Sequence, residues 1–163
     1  MLLRGFLSPA IVLSVILLDR LTKWLVLENL RFAGRELLPF LSLTYVENTG
    51  VSFGMFRGNN GFFIVFSAVL VCALMFFRRR LAAHGAAAGA GAALVLGGAV
   101  GNLYDRIVYG HVVDFVDLSF FPAVFNVADA SITAGAVLLA FGMRDEGPAS
   151  GPGREQEERK KCA

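Results

Sequence analysis

The chain has 163 residues, 56% of them hydrophobic and 17% charged, with a mean hydropathy of +0.63. Soluble domains carry about 25% charged residues, and the apolar residues here come in blocks rather than alternating stripes. Composition therefore excludes a soluble globular domain and implies a mainly α, polytopic membrane protein. The net charge of +2 is unevenly spread, with basic residues beside apolar spans. No basic groove interleaved with aromatics is present, so nucleic acid is not an expected partner.

The first apolar stretch, Phe6–Leu27, is longer than the apolar region of a secretory signal. Asp19, Arg20 and Lys23 interrupt its distal half, and no small-residue cleavage site follows. A retained transmembrane helix is expected, with Pro9 tolerated in its first turn and Trp24 as an interfacial anchor. Asp19 and Lys23 are four apart and share a helical face, where they can neutralise each other.

Residues 28–60 form an extramembrane segment. Glu28, Arg31, Arg35 and Glu36 mixed with Leu30, Phe32, Leu37 and Leu38 suit a short surface helix, which Pro39 ends. Phe40 to Val46 alternates as a strand does, and VSFGMF after ENTG continues it, so a small β-rich unit is expected. Asn48 is read either as a ligand for substrate backbone or as the head of an Asx turn.

Phe62–Phe77 is the second span and ends at Arg78, Arg79 and Arg80, a cytoplasmic stop. The third, Ala82–Tyr104, is rich in Ala and Gly; Gly85, Gly89, Gly91, Gly97, Gly98 and Gly101 permit close approach of neighbouring helices. The fourth, Phe125–Phe141, precedes a Gly/Pro and mixed-charge tail expected to be disordered and cytoplasmic. Nine basic residues outside the spans fall on one side and four on the other. Four transmembrane helices with both termini cytoplasmic follow.

Between Gly97 and Asp129 the carboxylates Asp105, Asp114, Asp117 and Asp129 stand among apolar segments. There they need water, partners or a shared proton. Asn102 and Arg106 are four apart, and Asn126 and Asp129 three apart, so each pair shares a helical face near the outer side. Asp114 and Asp129 are the candidates for a water-activating dyad, in which the anionic member takes a proton and the protonated member polarises a carbonyl. No GxSxG serine, Cys-His pair or Ser-Lys spacing competes. Cys72 and Cys162 suggest neither a disulfide nor a metal cluster, and His84 and His111 form no zinc motif. His84 is expected at the interface and His111 in a solvent-facing loop near the acidic cluster. No metal or cofactor is expected.

The segments DRLTK (19–23), ENTGVSFG (47–54), GGAVGNLYDR (97–106), VVDFVD (112–117) and FNVAD (125–129) occur in one order. That ordered set resembles the lipoprotein signal peptidase (signal peptidase II) family of bacterial membrane aspartic peptidases, over residues 7–142 or so. The resemblance implies removal of the signal peptide from a diacylglyceryl-modified prolipoprotein, immediately before the lipidated cysteine. An inner-membrane enzyme is expected, a monomer among phospholipids, and the charge topology puts its site on the periplasmic side. By motif, the catalytic aspartates fall on Asp114 and Asp129, and the supporting residues on Asp19, Lys23, Asn48, Gly50, Asn102, Asp105, Arg106 and Asn126. Asp117 is a rival for Asp114, which alone stands in the VDF position. Residues 1–143 are expected to form the peptidase domain and 144–163 the tail. The competing readings are an ion-coupled transporter, which lacks an inverted repeat, and a non-enzymatic assembly protein.

Overall fold

A computed structural model describes residues 2–31, 33–50 and 59–144, residues 2–8 as backbone only. The strand continuation expected over VSFGMF and the tail beyond Arg144 lie outside the described residues. Helix α1 (Leu2–Asn29) is followed by strands β1 (Arg35–Leu38) and β2 (Leu41–Asn48). Then come α2 (Asn60–Ala83), α3 (Ala86–Val108), β3 (Val112–Leu118) and α4 (Val127–Arg144). Helices α2, α3 and α4 are each long and apolar enough to cross a membrane. Helix α1 has 28 residues but carries Asp19, Arg20 and Lys23.

Helix α3 is the centre of the bundle, and α1, α2 and α4 all pack against it. Its small residues explain how. A Cβ on Gly91 would lie 2.6 Å from the Gly135 carbonyl oxygen, and one on Gly135 would lie 2.7 Å from that of Gly91. Backbone thus meets backbone between α3 and α4, as expected where lipid removes the hydrophobic drive and close van der Waals packing must hold helices together. Gly97 likewise admits Val15 of α1. Gly85 does something else: with φ of 104° it separates α2 from α3, so α3 begins later than composition suggested.

The strands form one antiparallel sheet in the order β1-β2-β3. Val26 at the end of α1 packs with Val113 and Phe115 of β3, and Leu43 and Tyr45 of β2 close over them. This apolar contact seats the sheet on one end of the bundle.

The expected surface helix is not what forms at 28–38. Glu28 and Asn29 complete α1, and Arg35–Leu38 is β1, paired with β2 through Arg35 opposite Leu43 and Glu36 opposite Ser42. The reason is the Pro39-Phe40 turn, which brings Leu38 opposite Leu41. Proline presets the turn's dihedral, and the open edge of β2 then satisfies the backbone of 35–38 better than an isolated helical turn would.

The segment after α3 also differs from a plain loop. Gly110, with φ of 80°, turns the chain back, and VVDFVDL becomes β3 alongside β2, with Asp114 opposite Val46 and Asn48 opposite Val112. Phe125 then bridges to Val116 through backbone hydrogen bonds of 2.8 and 3.0 Å. That bridge carries the start of α4 back beside β3.

Candidate active site

The site is built from α4's first turn outward. Asn126 precedes the helix; its Oδ1 accepts the N–H of Asp129 at 2.8 Å, and Asp129 Oδ2 accepts the N–H of Asn126 at 3.4 Å. This reciprocal arrangement satisfies N–H groups that a helix start leaves open. It also places the Asp129 carboxylate at the positive end of the helix dipole.

The same asparagine reaches the sheet. Asn126 Nδ2 donates to Asp114 Oδ1 at 2.6 Å, while Asn48 Nδ2 donates to Asp114 Oδ2 at 2.8 Å. Asn126 is fully buried and Asp114 is 1% exposed. Burial pushes the Asp114 carboxyl up to about 7, and the charge of Asp129 adds to the rise. The Asn48 and Asn126 amides and the Lys23 ammonium pull in the other direction without cancelling it. A carboxyl poised near neutrality can both give and take a proton at physiological pH.

Behind Asp129 stands a charged layer. Asn102 Nδ2 donates to Asp129 Oδ1 at 2.7 Å, and Asn102 Oδ1 accepts Lys23 Nζ at 3.0 Å. Lys23, 1% exposed, also meets Asp105 Oδ2 at 2.7 Å and Asp19 Oδ2 at 3.0 Å. Its three N–H groups are therefore all engaged, as a buried ammonium requires. The carboxylates are engaged too: Asp19 Oδ1 accepts the Ala128 N–H at 3.1 Å, and Asp105 Oδ2 accepts that of Val113 at 3.2 Å. These bonds tie α1 to the start of α4 and α3 to β3. Gly101 makes room for the layer, since a Cβ there would lie 2.7 Å from Asp19 Oδ2.

Arg106 shares a helix face with Asn102 but serves the rim. Its Nη2 donates to the Gly50 carbonyl at 3.1 Å, and its guanidinium lies 5.3 Å from the Phe63 ring. The Gly50 N–H donates to Asn48 Oδ1 at 3.0 Å. Asn48 thus heads an Asx turn and holds Asp114 at once, so one of its two alternative readings describes the oxygen while the nitrogen does something neither foresaw.

Sequence spacing brought Asp19, Lys23, Asn102, Asp114, Asn126 and Asp129 to one side, and the structure joins them in one network. Asp117 stays apart: strand alternation puts it on the opposite face of β3 from Asp114, across from Ser42. His111 does not simply face solvent, since its ring stands 3.5 Å from the Tyr45 hydroxyl. Spacing missed Arg20, which pairs with both Asp19 and Asp105 and lies 4.6 Å over the Tyr104 ring. It also missed Asn60, whose Nδ2 donates to the Arg106 carbonyl at 3.0 Å. Neighbours in sequence do not face one another on a helix, so no periodicity singles out Arg20 beside Asp19; only its position inside DRLTK could have.

Residues 11–144 match the family model of signal peptidase (SPase) II. The chain is 43% identical over 133 residues to the lipoprotein signal peptidase of Caldanaerobacter subterraneus subsp. tengcongensis, covering 80% of this chain and 91% of that one. It is 42% identical over 147 residues to that of Burkholderia thailandensis, covering 84% and 88%. The fold is similar to a bacterial membrane enzyme solved by the in meso method at 2.3 Å, with a TM-score of 0.78 and 27% identity over 88% of this chain and 93% of that one. The chain belongs to the signal peptidase II family of aspartic membrane endopeptidases, which process lipoprotein precursors.

Proposed function

We propose that Asp114 and Asp129 are the catalytic dyad of this peptidase and that its substrate is a diacylglyceryl-modified prolipoprotein, cut immediately before the lipidated cysteine. The observation that carries this reading is Asn126, which hydrogen-bonds Asp114 through its side chain and Asp129 through its backbone and amide oxygen. Two carboxyls so held share one proton. The ionised member removes a proton from water as the water oxygen attacks the scissile carbonyl carbon. The protonated member donates to the carbonyl oxygen. Collapse of the tetrahedral intermediate breaks the C–N bond, and a proton passes from the dyad to the departing amine. Asp19, Lys23, Asn102 and Asp105 hold Asp129 and its neighbours in place, while Asn48, Gly50 and Arg106 shape the rim that meets the peptide.

The orientation follows from charge. Helix α1 is read as the fourth span, with both termini cytoplasmic and the sheet with its aspartates on the periplasmic side. Asn60 lies at the site end of α2, and Arg78 is 18 residues further on, roughly 27 Å along the axis at 1.5 Å per residue. That separation suits opposite faces of a hydrocarbon core about 30 Å thick. An acylated substrate can then keep its chains in the outer leaflet while its peptide reaches the dyad. Residues 1–143 are read as one catalytic domain, acting as a monomer.

The test is incubation of the purified full chain with a diacylglyceryl-modified precursor and with the same precursor lacking the lipid. Release of the signal peptide only from the lipidated form is expected. Equal cleavage of both would remove the lipid from the recognition element.

A further inference from the structure

The charged network and the sheet occupy one end of the bundle, and a separate cleft opens towards the other. Helices α1 and α2 both lie against α3 and leave between them a space of about 690 Å³. Val12 and Ile16 line it from α1 and Leu74 from α2, and small residues of α3, Gly89 and Ala92, form the floor. Those small side chains give the cleft its depth.

Arg78 and Arg79 line the same cleft. Both are exposed, and neither has an ion-pair partner among the described residues. Arg80, beside them, turns elsewhere and lies over the Phe77 ring at 5.8 Å. No acidic residue lines the cleft, and α2 contains none. The occupant that fits is therefore an amphiphile with an apolar chain and an anionic head. A signal peptide would bring a basic N-terminal region to this end, where the arginines repel it. A phosphate satisfies them, because guanidinium groups bind phosphate oxygens through paired, charge-assisted hydrogen bonds. Basic pockets between helices at the cytoplasmic surface suit acidic lipid head groups.

We propose that this cleft binds an anionic phospholipid of the cytoplasmic leaflet, with an acyl chain between α1 and α2 and its phosphate on Arg78 and Arg79. The choice of leaflet rests on the orientation proposed above; the site does not depend on the aspartate dyad.

The experiment uses the purified, delipidated full chain in detergent. Phosphatidylglycerol, phosphatidylcholine with the same chains, or soluble glycerol phosphate is added, and lipid retention is read by native mass spectrometry alongside thermal unfolding. Phosphatidylglycerol should be retained about thirtyfold better than phosphatidylcholine, as two basic groups near a lipid head warrant. Glycerol phosphate alone should neither bind nor stabilise. The double variant R78Q/R79Q, altered only at exposed positions, should lose the preference and still cleave precursor at the parental rate. Equal retention of the two lipids, a preference that survives in the double variant, or stabilisation by glycerol phosphate alone would overturn the proposal. A photo-crosslinker in place of Leu74 should label lipid; capture of the precursor's signal peptide instead would also overturn it. Cleavage is measured separately, so a failed dyad would leave the lipid preference standing.

Discussion

Lys23 and Asn102 are joined by a 3.0 Å hydrogen bond from the ammonium to the amide oxygen, and that bond, together with the 3.2 Å one from Asn126 Nδ2 to the same oxygen, decides which way the Asn102 amide faces. An ammonium has only donors, so it must meet the oxygen. The amide nitrogen is then left to donate to Asp129 at 2.7 Å. A lysine of the first helix thereby orients a carboxylate of the fourth without touching it.

Lys23→Met should weaken this control, leaving Asn126 as the donor on the Asn102 amide oxygen, and leave Asp19 and Asp105 with Arg20 as their remaining cation. Breaking a buried pair by deleting one partner costs on the order of 3–5 kcal/mol, and Asp19→Ala should cost a similar amount by taking one acceptor from Lys23, one from Arg20 and the side-chain acceptor of the Ala128 N–H. Thermal unfolding in detergent measures the loss, with precursor cleavage read in parallel. Unchanged melting together with unchanged cleavage, in either variant, would show the network to be dispensable.

Asp114→Asn and Asp129→Asn keep side-chain size and remove one ionisable group each. Either should nearly abolish release of the signal peptide while membrane insertion and retention of the lipidated precursor persist. Asp117→Asn should be mild, because that side chain faces away from the pair. Substantial turnover by the Asp129→Asn protein would sink the dyad. Loss with Asp117→Asn but not with Asp114→Asn would move one of its members.

The pH dependence has a definite sign. Asp114 is held up to about 7 in the fold, against about 3.9 for a free aspartate. The folded state therefore binds this proton more tightly. The group's contribution to stability is complete below about pH 4 and is lost as pH rises through about 7. Catalysis should lose its shared proton over the same alkaline limb, so kcat/KM falls above about pH 7. Asn48 favours the ionised form through its 2.8 Å hydrogen bond, and Asn48→Ala should move that limb to higher pH. A pH–rate profile in detergent checks both, and a limb shifted downward in the variant would contradict the assignment.

Orientation is tested with reporters. A fusion after Arg80 should report the cytoplasm and one near Arg35 the periplasm. Reversed signals at both positions would overturn the arrangement and would move the lipid cleft to the outer leaflet.

Much of this protein could be read without its fold. The apolar blocks marked the helices because a bilayer demands unbroken runs of apolar residues. The i, i+4 spacing of Asp19 and Lys23 and the i, i+3 spacing of Asn126 and Asp129 marked shared faces, because helical geometry is local. The tertiary structure decided everything that depends on segments distant in sequence. β1 exists because β2 offers it an open edge, and β3 because Gly110 turns the chain back onto β2; neither partner is visible in a four- to seven-residue window. Arg20 joins Asp105 across two helices, and Asn48 reaches Asp114 across two strands. Side-chain periodicity records which way a residue points from its own element. Only packing determines what it meets there, and in a buried polar site each group's partner sets both its orientation and its proton.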